Sequence, residues 1–114
     1  MASVWDCFLN AAQDLSSAGT VKQRLIDAYA RNLANLSNDD IPRELREEFA
    51  ALESALCSTR PMRGETALQA TVRKMSDRQA AQHAAQIIAM FGALARFQIV
   101  GRQPMLRAVN SGDD

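Results

Sequence analysis

The sequence predicts an all-α fold, a compact bundle of four to five antiparallel helices with a central apolar C-terminal helix. Three observations predict it. Apolar residues recur at three- and four-residue intervals along most of the chain, the period of one face of a helix. No segment alternates apolar and polar residues for long enough to argue a strand. The 114 residues, 47% hydrophobic and 23% charged, are enough for one domain with its own core.

The first helix is expected over about Ser3 to Ser17. Val4, Phe8, Ala11 and Leu15 form its stripe, widened by Trp5, Leu9 and Ala12. Asp6 suits the positive end of the helix dipole, and Gly19 suits a left-handed C′ position. Thr20 and Gln23 predict a capping box for the second helix, whose apolar face is Val21, Leu25, Ala28, Tyr29, Leu33 and Leu36. Asp27 and Arg31 lie one turn apart, a pairing worth ~0.3 kcal/mol. "SNDD" closes this helix. The third starts around Pro42, tolerated in a first turn, with Ile41, Leu45, Phe49, Leu52, Ala55 and Leu56 inward. Glu44, Glu47 and Glu48 lie outside that stripe. Pro61 ends the helix at or before Arg60.

A short fourth helix follows, about Glu65 to Met75, with Leu68, Val72 and Met75 inward. Ser76 and Gln79 make a second capping box. The fifth helix, about Asp77 to Phe97, carries Ala80, Ala84, Ile87, Phe91 and Leu94 on one stripe, broadened by Ala81, Ile88 and Ala95. A helix apolar nearly all round is a central one. Gly92 costs ~1 kcal/mol relative to alanine, which close packing would explain. The domain is read as residues 1–97, with 98–114 a partly disordered tail. Gly101, Pro104 and "NSGDD" interrupt that tail, and Ile99, Val100, Met105 and Leu106 offer it a way to dock.

Charge is neutral overall but uneven. Residues 1–59 carry five basic and nine acidic side chains, and residues 60–114 carry eight and four. The neutral total removes any global argument for nucleic acid or an acidic membrane as partner. Cys7 and Cys57 form no CxxC pattern and read as free, apolar-facing thiols in a reducing compartment. "MASVWDCFLN" lacks the basic start of a secretory leader. The longest apolar run, Ile87 to Ala95, has nine residues, far short of the ~20 that span a bilayer. The expected location is the cytoplasm. Eleven arginines against two lysines, with twenty alanines, suit a GC-rich bacterial genome.

The search for chemistry excludes more than it finds. His83 is the single histidine, and no HExxH, Glu-x-x-His, GxxxxGK[ST], GxGxxG or GxSxG occurs. Neither a metal site nor a cofactor is expected, and no catalytic set. His83 reads as a boundary residue among Gln79, Gln82 and Gln86. A pair of His83 with either cysteine is the remote enzymatic alternative. The carboxylates of "RELREEFAALE" read as a solvated face, since acid–base work needs burial or a charged partner.

One stretch has a functional shape, "RPMRGETALQATVRKMSD". Arg60, Arg63, Arg73, Lys74 and Arg78 predict a basic surface for a protein partner or a second copy of the chain, with Met62 as an exposed apolar anchor. Trp5 is the other candidate anchor, though its place on the first helix's stripe suits the core better. Arginine is a frequent hot-spot residue. The expected function is therefore a small non-enzymatic interaction or regulatory protein. The alternative is a helix-turn-helix-like unit over residues 65–90. There Arg73 and Lys74 would meet phosphates while Arg78, Gln82 and Gln86 face bases.

Overall fold

The computed structural model describes residues 3–107 and the side chains of residues 3–96. Five α-helices form the fold: α1 (Val4–Leu15), α2 (Val21–Ala28), α3 (Arg43–Leu56), α4 (Ala67–Lys74) and α5 (Asp77–Arg107). A π-helical turn, Tyr29–Leu33, continues α2, and a 3₁₀ turn, Asn38–Asp40, precedes α3. Among the described residues there is no strand, and no helix is long and apolar enough to cross a membrane.

Local chemistry sets the helix starts. Ser3 caps α1 and forms a box with Asp6, a role beyond the dipole effect expected of Asp6. Thr66 with Gln69 boxes the start of α4. Ser76 starts α5 as expected: the Gln79 backbone N–H donates to Ser76 Oγ at 3.0 Å, and Ser76 N–H donates to Gln79 Oε1 at 2.9 Å. The box expected at Thr20 is half made. Thr20 accepts from Gln23 N–H, but Gln23 Nε2 turns to Asp27 Oδ1 at 2.9 Å. That contact occupies Asp27, and the expected Asp27–Arg31 pair does not form. The π turn gives the geometric reason. Ala34 N–H bonds Tyr29 O at 2.9 Å, an i→i+5 closure, which winds Arg31 away from the α-helical register.

Helix C-termini leave carbonyls that need donors. Two are met by side chains of α2. Arg24 donates to Leu15 O at 2.7 Å and to Gly19 O at 3.1 Å, and Lys22 Nζ donates to Arg73 O at 3.2 Å. Cations at these ends also complement the helix dipoles. Gly19 has a φ of +117°, the left-handed region open to glycine. It lies three residues beyond the Ser16 C-cap, so it shapes the α1–α2 turn and does not occupy C′.

The core joins Phe8 and Leu15 of α1, Leu25 of α2, Tyr29 and Leu33 of the π turn, Phe49 and Leu52 of α3, Val72 of α4, and Ile87, Met90 and Leu94 of α5. Phe8 and Phe49 meet edge-on with centroids 6.2 Å apart, and Trp5 stacks on Phe91 at 4.8 Å. Helix α5 packs against α1, α2 and α3, while α4 bridges α2 and α3. Two expectations for α5 need correction. Ile88 is 44% exposed, so the buried face is the Ala80–Ile87–Leu94 stripe with Met90, not the whole circumference. A Cβ on Gly92 would meet nothing within 4 Å, so close packing does not explain that glycine.

Helix α5 also passes the expected end at Phe97 and continues to Arg107. The shorter estimate rested on Gly101 and Pro104, both disfavoured inside helices; the helical backbone runs through both. Docking by the side chains of residues 98–107, and the disorder expected of the tail's end, lie outside the described residues.

Candidate functional site

The candidate basic stretch begins at the corner between α3 and α4. Helix α3 ends at a Cys57 C-cap, before Pro61 can force the break. Thr71 then fixes the chain's return. Its hydroxyl donates to Ala67 O at 2.7 Å and accepts the Thr59 N–H at 2.9 Å. Thr71 is only 6% exposed, and a buried hydroxyl of this kind must be satisfied to avoid a desolvation cost. One side chain therefore ties α4 to the segment leaving α3.

The turn over residues 62–65 is closed by Glu65 N–H bonding Met62 O at 3.0 Å. Gly64, at φ +79°, supplies the left-handed step this needs. Glu65 is the hub. Its Oε1 accepts the Met62 N–H at 3.1 Å, and both oxygens accept from Arg73, at 2.7 Å from Nε and 3.2 Å from Nη2. Arg73 Nη2 also lies 3.2 Å from Met62 Sδ. The Arg73 hydrogen bond, seconded by the Met62 N–H, holds the Glu65 carboxyl below its ordinary range. The same contact raises the already high pKa of Arg73.

Sequence reasoning grouped Arg60, Arg63, Arg73, Lys74 and Arg78 as equals. The structure separates them. Arg73 is a structural strut, paired within the chain. Arg60, Arg63, Lys74 and Arg78 are exposed, and among the described residues none has a carboxylate within 4 Å. Met62, which contacts Arg73, is 64% exposed. Lys22 was missed. Its ammonium reaches Arg73 O from 51 residues away, a separation no local pattern encodes. It adds a sixth cation to the corner.

The helix-turn-helix alternative meets a geometric obstacle. Only Met75 and Ser76 separate α4 from α5, against the three to four residues usual in that motif. Gln79 is spent on the cap, and Gln86 is half-buried. Arg78 and Gln82 remain exposed.

The two thiols lie in surroundings that disfavour their ionised form. Cys7 is half-buried, and Cys57 is exposed where an apolar position was expected, because it caps α3 and leaves the helix stripe. Both thiols are pushed up, first by burial of the sulfur and then by nearby carboxylates, Asp6 and Asp40 for Cys7 and Glu53 for Cys57. Thiolates are favoured by the opposite surroundings. His83 Nδ1 is buried without a hydrogen-bond partner among the described residues. Those residues hold no cluster of three or more His, Cys, Asp or Glu suited to a metal ion. Comparison with protein-family models, curated proteins and solved structures finds no match.

Proposed function

We propose that this chain is a non-enzymatic interaction or regulatory protein of the bacterial cytoplasm that presents the basic corner of residues 60–78 to an acidic protein partner. The observation that carries the reading is the set of four exposed cations, Arg60, Arg63, Lys74 and Arg78, which lack carboxylate partners among the described residues, in the same stretch as exposed Met62. The corner beneath them is held by the Thr71 and Glu65 bonds. A preordered surface loses less entropy on binding, and an apolar anchor ringed by arginine is a common hot-spot composition. The acidic partner is a separate protein or the acidic 39–53 segment of a second copy. The bundle itself is taken as antiparallel and centred on α5, a reading supported by the packing of α5 on three other helices.

The test is affinity capture from the organism that makes the protein. Wild type is compared with an R60E/R63E/R78E variant, which spares Arg73 and its structural ion pair. A partner retained by wild type and lost from the variant, at unchanged thermal stability, supports the reading. Equal retention by both refutes it. Nucleic acid is the competing ligand, and salt-steep binding to random duplex, the sign of counterion release, would favour it.

A further inference from the structure

A second surface, sharing no residue with the basic corner, has the build of a small-molecule site. Between the N-terminus of α1 and the segment 31–40 lies a half-open cleft of about 490 Å³. That size lies within the range of ligand pockets. Its floor is apolar, made by Val4, Cys7 and Leu36, which pack on the core.

Its polar lining is charged at both ends of one segment. Arg31 is exposed and, among the described residues, has neither a hydrogen bond nor an ion pair. Asp40 stands at the other end and is held in place. Its Oδ2 accepts the Ser37 N–H at 2.9 Å and the Ser37 hydroxyl at 3.1 Å, which leaves Oδ1 free. Asn32 forms part of the wall and is fixed likewise. Its Nδ2 donates to Asp14 Oδ2 at 2.8 Å and to Ala28 O at 3.1 Å, and its Oδ1 is left unused. Asn35 adds an exposed amide. Asp40 and Asn32 are thus held in place before any ligand arrives, while Arg31 is free to turn to one.

The π turn is an independent pointer to the same place. A regular helix would set Arg31 one turn from Asp27, where the two could neutralise each other. Arg31 sits inside the i→i+5 closure, does not pair with Asp27, and lines the cleft. Single π turns are rare and recur at functional sites.

We infer that the cleft between α1 and the 31–40 segment binds a small zwitterion, a free amino acid or an unblocked dipeptide. In it Arg31 takes the carboxylate, Asp40 the ammonium, the two asparagines the amide or backbone polar atoms, and the apolar floor the side chain. A ligand with a single charge would leave either Arg31 or Asp40 unpaired.

The test is an amide NMR titration of the full chain with leucine, with alanyl-leucine, and with N-acetyl-alanyl-leucine amide at millimolar concentration. The expected result is movement of the amides of residues 3–7 and 31–40 with leucine, alanyl-leucine or both. Blocking the ends should weaken binding by about tenfold or more, equivalent to about 1.4 kcal/mol. Arg31→Met and Asp40→Asn should each weaken it by a similar factor while the free protein's spectrum stays folded. An asparagine at 40 can still accept the Ser37 N–H, so the local turn survives that change. Failure of both free ligands to move these segments overturns the inference. Equal binding of the blocked peptide, or of either variant, does so too.

Discussion

Thr71→Val asks whether one hydroxyl sets the corner on which the basic surface rests. Valine matches threonine in shape and β-branching, so packing and helix propensity change little. The substitution removes the bond to Ala67 O and strands the partly buried Thr59 N–H. A net hydrogen bond is worth about 1 kcal/mol and an unpaired buried donor costs about 1–3 kcal/mol. The Ala67 carbonyl retains its helical environment, so most of the loss comes from Thr59. The expected destabilisation is about 2 kcal/mol. With an unfolding entropy of about 2.1 cal/mol/K per residue, a domain of this size should lose about 8 °C in Tm. Calorimetry with Thr71→Ser as control measures it, since serine keeps the hydroxyl and should recover most of the loss. A valine variant within 0.5 kcal/mol of wild type (roughly the spread of neutral surface changes) would refute the argument that this hydroxyl pins α4 to the exit of α3.

Three further outcomes follow from other groups. Glu65 has a lowered carboxyl pKa, so its contribution is present above the ordinary carboxylate value and is lost as pH falls through the folded value. The stability gap between wild type and Glu65→Gln, followed by urea titration, should therefore close in acid; a gap that widens there would contradict the ion pair. Tyr29 is 3% exposed, and burial, assisted by the facing Glu53, pushes its phenol upward. The folded state then holds its proton longer than the unfolded state, and stability falls as pH rises above about 10, the ordinary tyrosine value. Tyrosinate absorbance should appear only together with alkaline unfolding, and ionisation in a folded protein near pH 10 would be the wrong result. Phe8→Ala removes a fully buried ring that meets Phe49 and should cost about 3–5 kcal/mol, read as a fall in the denaturant midpoint.

What was legible in the sequence was local. Ser76 with Gln79 and the Leu45–Phe49–Leu52–Leu56 stripe each encode their structure within a few residues, and the folded chain shows both; Pro42 marks the start of α3 as its N-cap, one place before the first turn where it was expected. The π turn left no signal, because Tyr29 and Leu33 keep the four-residue spacing of an α-helix. The role of Arg73 was hidden because its partner, Glu65, sits eight residues away across a left-handed turn at Gly64. Lys22 joined the corner only through folding. Exposure of Ile88 was unreadable for a related reason. Apolar character says which residues prefer burial, but how many helices surround α5 decides which of them obtain it. The cleft draws on residues 3–7 and 31–40, and no motif links those segments.

The most direct measurement is hydrogen exchange of the captured complex against the free protein, peptide by peptide. Slowed exchange is expected over residues 59–78 and the first turn of α2 around Lys22, joined by residues 39–53 where the partner is a second copy. Protection centred elsewhere, on α1 or on the acidic face of α3, with exchange at residues 59–78 unchanged, would contradict that expectation.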